Sequence, residues 1–550
     1  MGEPNTINQS VPISSIPLPP DATPEQYSSM DRNGDRVIDF QTEYLLAEQG
    51  RLFANQPALL GAIRTAFFGN DFAGYTFRTA NPGRTTEMIF ENRETLEVKK
   101  VRIGSDNRWT ETTTSPNSIL TEPETRRKMI RYLRTLVETT SYSENPEGVS
   151  HVIDTLDPAF QALRFTTQTI RPEDYPAEFV CDEQGRAEPK KRTVGNHFLA
   201  KRKGREGAIP ILLVGHTDTV YPLKRVEEGG FIRMEPQGTD NPGIPRYVGP
   251  GIADMKGGIV VILFTLYTLD QLGFLDDFDV TVFLGSDEEI GSLDSRKHIE
   301  RLAAGQAGCF VFERNAGDSM AIERQGIGHI RLLFEGKSAP SSKPGEGASA
   351  ILERNFTELA VDALNREYQK RAQRDKSYRG ILFNIGRSRG GTGANTVPSC
   401  ADTLIEVRYE NRSQEALIRK DLAEIVAKVD VHTAEGKPVV TKPDIQFHRP
   451  PKRDTPETAT AFERARGLFA LYARESTRIT GRPFVEKPEA GAADGSITQA
   501  VGCPTLDSVG VEGGSVHTPG QRIEFMDTAS LFNRTEIMVH TLARIREERR

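Results

Sequence analysis

The feature that most constrains this chain is a series of short, almost wholly apolar segments set between helical patterns, beginning near residue 195. Residues 209–214 read Ile-Pro-Ile-Leu-Leu-Val, 280–284 read Val-Thr-Val-Phe-Leu and 309–312 read Cys-Phe-Val-Phe. An apolar helix at 257–269 lies between the first two. A strand that is apolar on both faces must be covered on both, and intervening helices supply the cover. The pattern predicts an α/β fold around a buried sheet.

Around 328–448 the pattern changes. Residues 329–334 and 403–409 alternate, while 350–369 and 414–429 carry helical periodicity. Such a mixture reads as a separate α+β unit inserted in the chain. Long helices at 455–476 and 527–545, flanking an apolar strand at 503–509, then return to the first pattern. At the other end, residues 1–25 are rich in Pro, Ser and Asn and read as a flexible leader. Residues 26–118 read as an α+β extension, with helical stretches at 42–53 and 57–66 and alternation over 85–103. Thr121-Glu122-Pro123-Glu124 opens a helix with Met129, Leu133 and Val137 on one face. The expected organisation is therefore a leader (1–25), an extension (26–118), an α/β domain in two parts (119–326 and 450–550) and an insertion (327–449).

Composition removes several classes of function. Lys and Arg total 70 against 77 Asp and Glu, for a net charge of -7. Nucleic acid is thus not an expected partner, because phosphate binding needs clustered positive charge. The longest apolar stretch, 259–269, is well short of the ~20 residues that cross a bilayer, so no membrane partner is expected. The N-terminus lacks the basic and apolar regions of a secretory signal, and matches a myristoylation pattern only in Gly2 and Thr6. Cys181, Cys309, Cys400 and Cys503 are few and scattered, with no CxxC, so no disulfide framework is expected. Together these point to a cytoplasmic location.

The residues that carry chemistry follow the apolar segments. After 209–214 comes Gly215-His216-Thr217-Asp218, in which His216 and Asp218 share one side of an extended backbone. One can bind a metal while the other accepts the second ring N–H and fixes the tautomer. Gly249–Gly258 is a glycine-rich turn presenting Asp254 just before a helix. Asp287-Glu288-Glu289 follows the second strand, Glu313 the third, and His517 lies in a loop after the last. In open α/β sheets, ligands bind beyond the carboxyl ends of strands. Two imidazoles and three carboxylates at such places suit two zinc ions, with one of the adjacent glutamates left free as a general base.

The stretches GHTDTVYP (215–222), GPGIADMKGG (249–258), SDEEIGS (286–292) and GGSVHTPGQRIE (513–524) resemble the two-zinc amidohydrolases that include glutamate carboxypeptidase, aminoacylase and succinyl-diaminopimelate desuccinylase. The carboxypeptidase branch is the most similar, and the resemblance spans about 120–550. It implies that His216 and Glu313 bind one zinc, that Glu289 and His517 bind the other, and that Asp254 bridges them. It further implies that Asp218 orients His216 and Glu288 is the general base. The implied fold is an α/β catalytic domain with an inserted lid that often dimerises. Asn395 and Arg408 match the lid positions that grip a substrate carboxylate. Cobalt or manganese fits the same ligands. The implied substrate is a small peptide or an N-acyl amino acid with a free carboxylate.

Two features depart from the resemblance. Pro340 stands where the family usually carries an oxyanion-stabilising histidine, with Ser341, Ser342, Lys343 and His329 nearby in sequence. Gln521 replaces a commonly acidic residue. The first departure leaves a second reading open, a catalytically impaired member that acts as a metal-dependent binding protein. In the extension, Asp31, Asn33, Asp35 and Asp39 occupy oxygen-donor positions of a calcium loop, although Arg36 stands at its usual glycine.

Overall fold

The computed structural model describes most of residues 75–549, except 82–85, 104–107, 174–177, 183, 191–192, 223–232, 236–244, 454, 456–457, 488–490 and 518–523. Of the first 74 residues it describes Asn5–Thr6, Ser10–Pro12, Val37–Asp39, Arg64 and Phe72. The chain divides into two units, Met1–Arg126 and Arg127–Arg550.

In the first unit, strands Thr76–Asn81, Thr86–Glu91, Val98–Ile103 and Arg108–Thr114 form an antiparallel meander. The alternation over 85–103 is the inner pair, and it buries Met88, Phe90, Val98 and Val101. The leader contains two short strands where none was expected. Asn5–Thr6 pairs with Arg108–Thr114, and Ser10–Pro12 with Val37–Asp39, so ladder partners elsewhere in the chain order a polar segment. The helical stretches expected at 42–53 and 57–66 lie outside the described residues, apart from Arg64. So do Asp31, Asn33 and Asp35 of the calcium loop, whereas Asp39 ends a strand. Thr121 ends a short helix, Pro116–Thr121, rather than opening the next. Helix Pro123–Glu138 is capped instead by Glu122, which accepts a hydrogen bond from the Thr125 amide at 2.6 Å.

The second unit is built on a six-stranded sheet. Its order is Thr505–Asp507, Gly308–Val311, Ile209–His216, Phe278–Gly285, His197–Arg202, Thr166–Ile170. The first four run parallel and the last two are antiparallel to their neighbours. Ile211 through Val214 are almost completely buried, as strands covered on both faces must be. One cover is helix Gly257–Gln271, whose close approach depends on Gly258. A Cβ there would lie 2.1 Å from the Phe312 carbonyl oxygen. The apolar run is longer than the sequence pattern suggested. Ile252–Gln271 is long and apolar enough to cross a bilayer, yet 89% of its apolar window is buried within the protein. Its apolar surface is spent on the core.

Residues 326–449 form a second layer around a four-stranded antiparallel sheet, ordered Leu382–Gly390, Cys400–Tyr409, Gly326–Glu335, Val440–Arg449. Helices Ala350–Ala372 and Arg412–Ala427 pack on one face, burying Ile330, Leu332, Val361, Ile405 and Ile418. The outer two strands have mixed, polar sequences, which is why alternation did not reveal them.

The cysteine reading needs correction. Cys181 and Cys400 form a disulfide with Cα atoms 5.8 Å apart. Sequence separation, 219 residues here, carries no information about spatial separation. The hairpin Glu178–Cys181/Ala187–Lys190 reaches the second sheet, where Ser399 Oγ also donates to the Gly185 carbonyl at 2.9 Å. With the pair goes one ground for a cytoplasmic location, since disulfides persist mainly in oxidising surroundings.

Candidate metal centre

Four of the five proposed ligands follow buried strands or sit in a tightly bonded turn. His216 ends strand Ile209–His216, the two glutamates follow Phe278–Gly285, and Glu313 lies two residues beyond Gly308–Val311. Asp254 sits in a turn entered through Gly251, whose φ of 71° favours glycine, and its peptide bond to Met255 is cis. His517 stands on a loop, its side chain about half exposed.

These groups converge. His216 Nε2 lies 3.4 Å from Asp254 Oδ1 and 3.6 Å from Glu313 Oε1. His517 Nε2 lies 3.1 Å from Asp254 Oδ2 and 3.0 Å from Glu289 Oε2. The two Asp254 oxygens thus face different histidines. Two ligand atoms each ~2.0–2.1 Å from a tetrahedral zinc are about 3.4 Å apart, close to these separations. Three acceptors in the cluster, His216 Nε2, Glu289 Oε1 and Glu313 Oε1, are buried without a hydrogen-bond partner among the described residues. Such orphaned atoms aimed at one space fit a cation. His216, Glu288 and Glu313 form one potential metal-holding group and His216, Asp254 and Glu289 another.

The electrostatics agree. Burial, together with the Asp254 charge, pushes Glu313 up to about 7, although His216 opposes the shift. Burial also holds Glu288 well above the carboxylate range, against the nearby Arg449. Burial would lower His216, but Glu313, Asp218 and Asp254 draw it well above its ordinary value. Hydrogen bonds to Asp254 and Glu289 raise His517 to about 11. Protons here do the work of cations that the carboxylates require.

Asp218 does more than face the histidine. His216 Nδ1 lies 3.0 Å from the Asp218 backbone carbonyl and 3.3 Å from its carboxylate. The carboxylate also accepts the Glu288 and Glu289 amides, both at 3.2 Å, and Ser143 Oγ at 2.8 Å. It therefore couples the first strand end to the paired glutamates.

Three positioning features went unread in the sequence. Glu524 accepts the Gly251 amide at 2.9 Å, Ala253 at 2.7 Å and Asp254 at 2.8 Å, fixing the turn that presents Asp254. It stands at the end of the GGSVHTPGQRIE stretch, so its position was in view without its role. Arg449, closing the last strand of the second sheet, donates to the Glu288 carboxylate and backbone carbonyl and to Ser292 Oγ. No local pattern marks it. His197 accepts the Ser286 amide at Nδ1, 3.2 Å, and bonds Asp294 through Nε2, 2.9 Å. That arrangement anchors the start of the Ser286–Ser292 segment, with His298 beside it.

A cavity of about 440 Å³ opens on the cluster, lined by Asp254, Glu288, Glu289, Glu313 and His517. Asn395 and Arg408 are not among its described lining residues. Arg408 Nε bonds Glu406 at 2.9 Å, and Asn395 is exposed, its carbonyl accepting the Ser341 amide. Pro340 bridges to Thr396 in that same loop. The His329 ring lies tilted against that of His448, the neighbour of Arg449, with centroids 4.4 Å apart.

Comparison with known proteins now places the chain. Residues 212–544 match the model of peptidase family M20/M25/M40. Carboxypeptidase G2 of Pseudomonas sp. (strain RS-16) is 27% identical over 73% of this chain and 86% of its own. Succinyl-diaminopimelate desuccinylase of Xylella fastidiosa (strain 9a5c) is 25% identical over 61% and 84%. Among solved structures, the dipeptidase Dug1p from Saccharomyces cerevisiae shares the fold, with a TM-score of 0.56, 13% identity, and coverage of 79% of this chain and 99% of that one. The chain belongs to peptidase family M20/M25/M40. It is a metallopeptidase or amidohydrolase of that family.

Proposed function

We propose that the protein is a co-catalytic two-zinc hydrolase that cleaves an amide or peptide bond in a small substrate bearing a free carboxylate. The observation that carries this is the placement of Asp254, with one oxygen toward His216 and the other toward His517. His216 and Glu313 would hold one ion, Glu289 and His517 the other, and Asp254 both. The ions, when bound, lower the pKa of water and polarise the scissile carbonyl. Cobalt or manganese could take the same donors.

Glu288 is the general base. Its carboxylate borders the cavity, is buried, and takes the proton of the attacking water before passing it to the leaving amine. Arg449 fixes the resting position of that carboxylate. The names of the relatives, a carboxypeptidase and a desuccinylase, support a small peptide or N-acyl amino acid as substrate.

The 326–449 layer is the lid and the dimerisation element in this reading. On its helix Ala350–Ala372, Leu352, Phe356 and Leu359 are 51%, 47% and 64% exposed and recur at helical spacing. Such a stripe suits a second copy of the chain.

The test compares wild type with Glu288→Ala on dipeptides and N-acyl amino acids. The expected result is turnover by wild type and a collapse of kcat in the variant with metal content retained. Turnover that survives the substitution would remove Glu288 from its role. A metal-loaded wild type without activity on any such substrate would overturn the hydrolase.

A further inference from the structure

Three arginines line the cavity at the metal cluster, and two are already engaged. Arg449 is tied to Glu288 and Ser292. Arg324 reaches Asp507 at 3.0 Å, the Gly491 carbonyl at 2.8 Å and Ser508 Oγ at 2.8 Å. The third, Arg314, is half-buried and has no ion-pair or hydrogen-bond partner among the described residues.

The backbone carrying Arg314 is pinned on both sides. The Glu313 carbonyl accepts the Gly510 amide at 2.9 Å, and the Asn315 amide donates to the Val511 carbonyl at 2.8 Å. The Asn315 side chain is held in turn by the Ser508 carbonyl and Arg534. Arg314 is thus carried at the cavity wall on backbone held from both sides, one residue from Glu313. Gly491, Ala492 and Ala493 also line the cavity, so that wall carries no long side chain. The volume, about 440 Å³, suits a small molecule.

We infer that Arg314 is a specificity-determining residue that binds a carboxylate of the substrate. The guanidinium fork matches a planar carboxylate bidentately. The inference rests on the hydrolase reading and places a carboxylate-binding guanidinium on the catalytic sheet. Arg408, the position suggested by resemblance, is bonded to Glu406 and does not line this cavity. The carboxylate met by Arg314 is the α-carboxylate or a side-chain one, and matched ligands separate the two.

The experiment uses the full-length, metal-loaded protein. Titration calorimetry on the Glu288→Gln background measures Kd for N-acetyl-L-methionine, its C-terminal amide, and N-acetyl-L-isoglutamine, which keeps only a side-chain carboxylate. Steady-state kinetics on the Glu288 protein measures kcat and KM for whichever are cleaved. The expected result is that Arg314→Gln raises Kd and KM for carboxylate ligands roughly 10–100-fold. Affinity for the amide, kcat and metal content should stay nearly constant, and Arg314→Lys should recover part of the loss. The acid that responds identifies which carboxylate is read. Unchanged carboxylate affinity in Arg314→Gln, or no preference of the parent protein for acid over amide, overturns the inference. Carboxylate binding that depends on Arg314 without any turnover would sustain it while refuting the hydrolase.

Discussion

Glu524 offers a direct way to perturb the metal centre without touching a ligand. Its Oε1 accepts two amides, Ala253 and Asp254, and its Oε2 accepts one, Gly251. Replacing it with glutamine preserves shape and can keep the Oε1 pair. The new amide group then points N–H at the Gly251 N–H, so one charge-assisted bond is lost and a buried donor is stranded. That costs roughly 1–3 kcal/mol, and each 1.4 kcal/mol is a factor of about ten in an equilibrium. Burial, reinforced by Asp254, pushes Glu524 up to about 8, so its charge is costly until a cation neutralises Asp254. The benefit of the ionised carboxylate is therefore realised when metal binds. Glu524→Gln should lower metal affinity roughly 10–100-fold, as loss of such supporting groups does. Competition with a chromophoric chelator at pH 7.5, with circular dichroism as a check on folding, makes the measurement. A variant that binds metal as tightly as wild type would refute the view that Glu524 organises the Asp254 turn.

Three further outcomes are expected. Removing the disulfide with paired Cys181→Ser and Cys400→Ser should lower stability, by up to about 5 kcal/mol on the loop-entropy estimate for a closure this long, read as a lower midpoint in urea. An unchanged midpoint would show that the cross-link is not made. His448 and His540 are held neutral, chiefly by burial, at about 2 and about 3. Below about 6.5 the unfolded chain takes up protons that the native state refuses, so their stabilisation is present above that pH and lost as pH falls toward the folded values. Each should steepen the decline by up to about 1.4 kcal/mol per pH unit, and His540→Gln should flatten it. Phe356→Glu, on the exposed stripe of Ala350–Ala372, should shift a dimer to monomer in sedimentation, whereas a wild type that is already monomeric would remove that interface.

The sequence revealed those parts of the fold and site that depend on local pattern. Continuous apolar strands such as 209–214 have one physical solution, burial on both faces, and the residues just beyond them emerge at one sheet edge. The candidate ligands His216, Asp254, Glu289, Glu313 and His517 were read from such strand ends, from a glycine-rich turn and from the family resemblance, and the structure brings their side chains together. Strands Leu382–Gly390 and Val440–Arg449 were not, because both are edge strands of polar composition that bury too few side chains to leave an alternation. Glu524, Arg449 and the Cys181–Cys400 pair were hidden for a different reason. Each acts through a partner far away in the chain, and only the topology sets such distances. Arg314 shows the remaining gap, since its significance lies in what its neighbours have already paired with.

The most direct measurement is the metal content of the purified protein after zinc loading and dialysis, taken with the positions of the ions by anomalous diffraction. About two ions per chain are expected, one near His216 and Glu313 and one near Glu289 and His517, with Asp254→Asn weakening both. Protein that retains no metal, or holds it away from Asp254, would contradict the central claim.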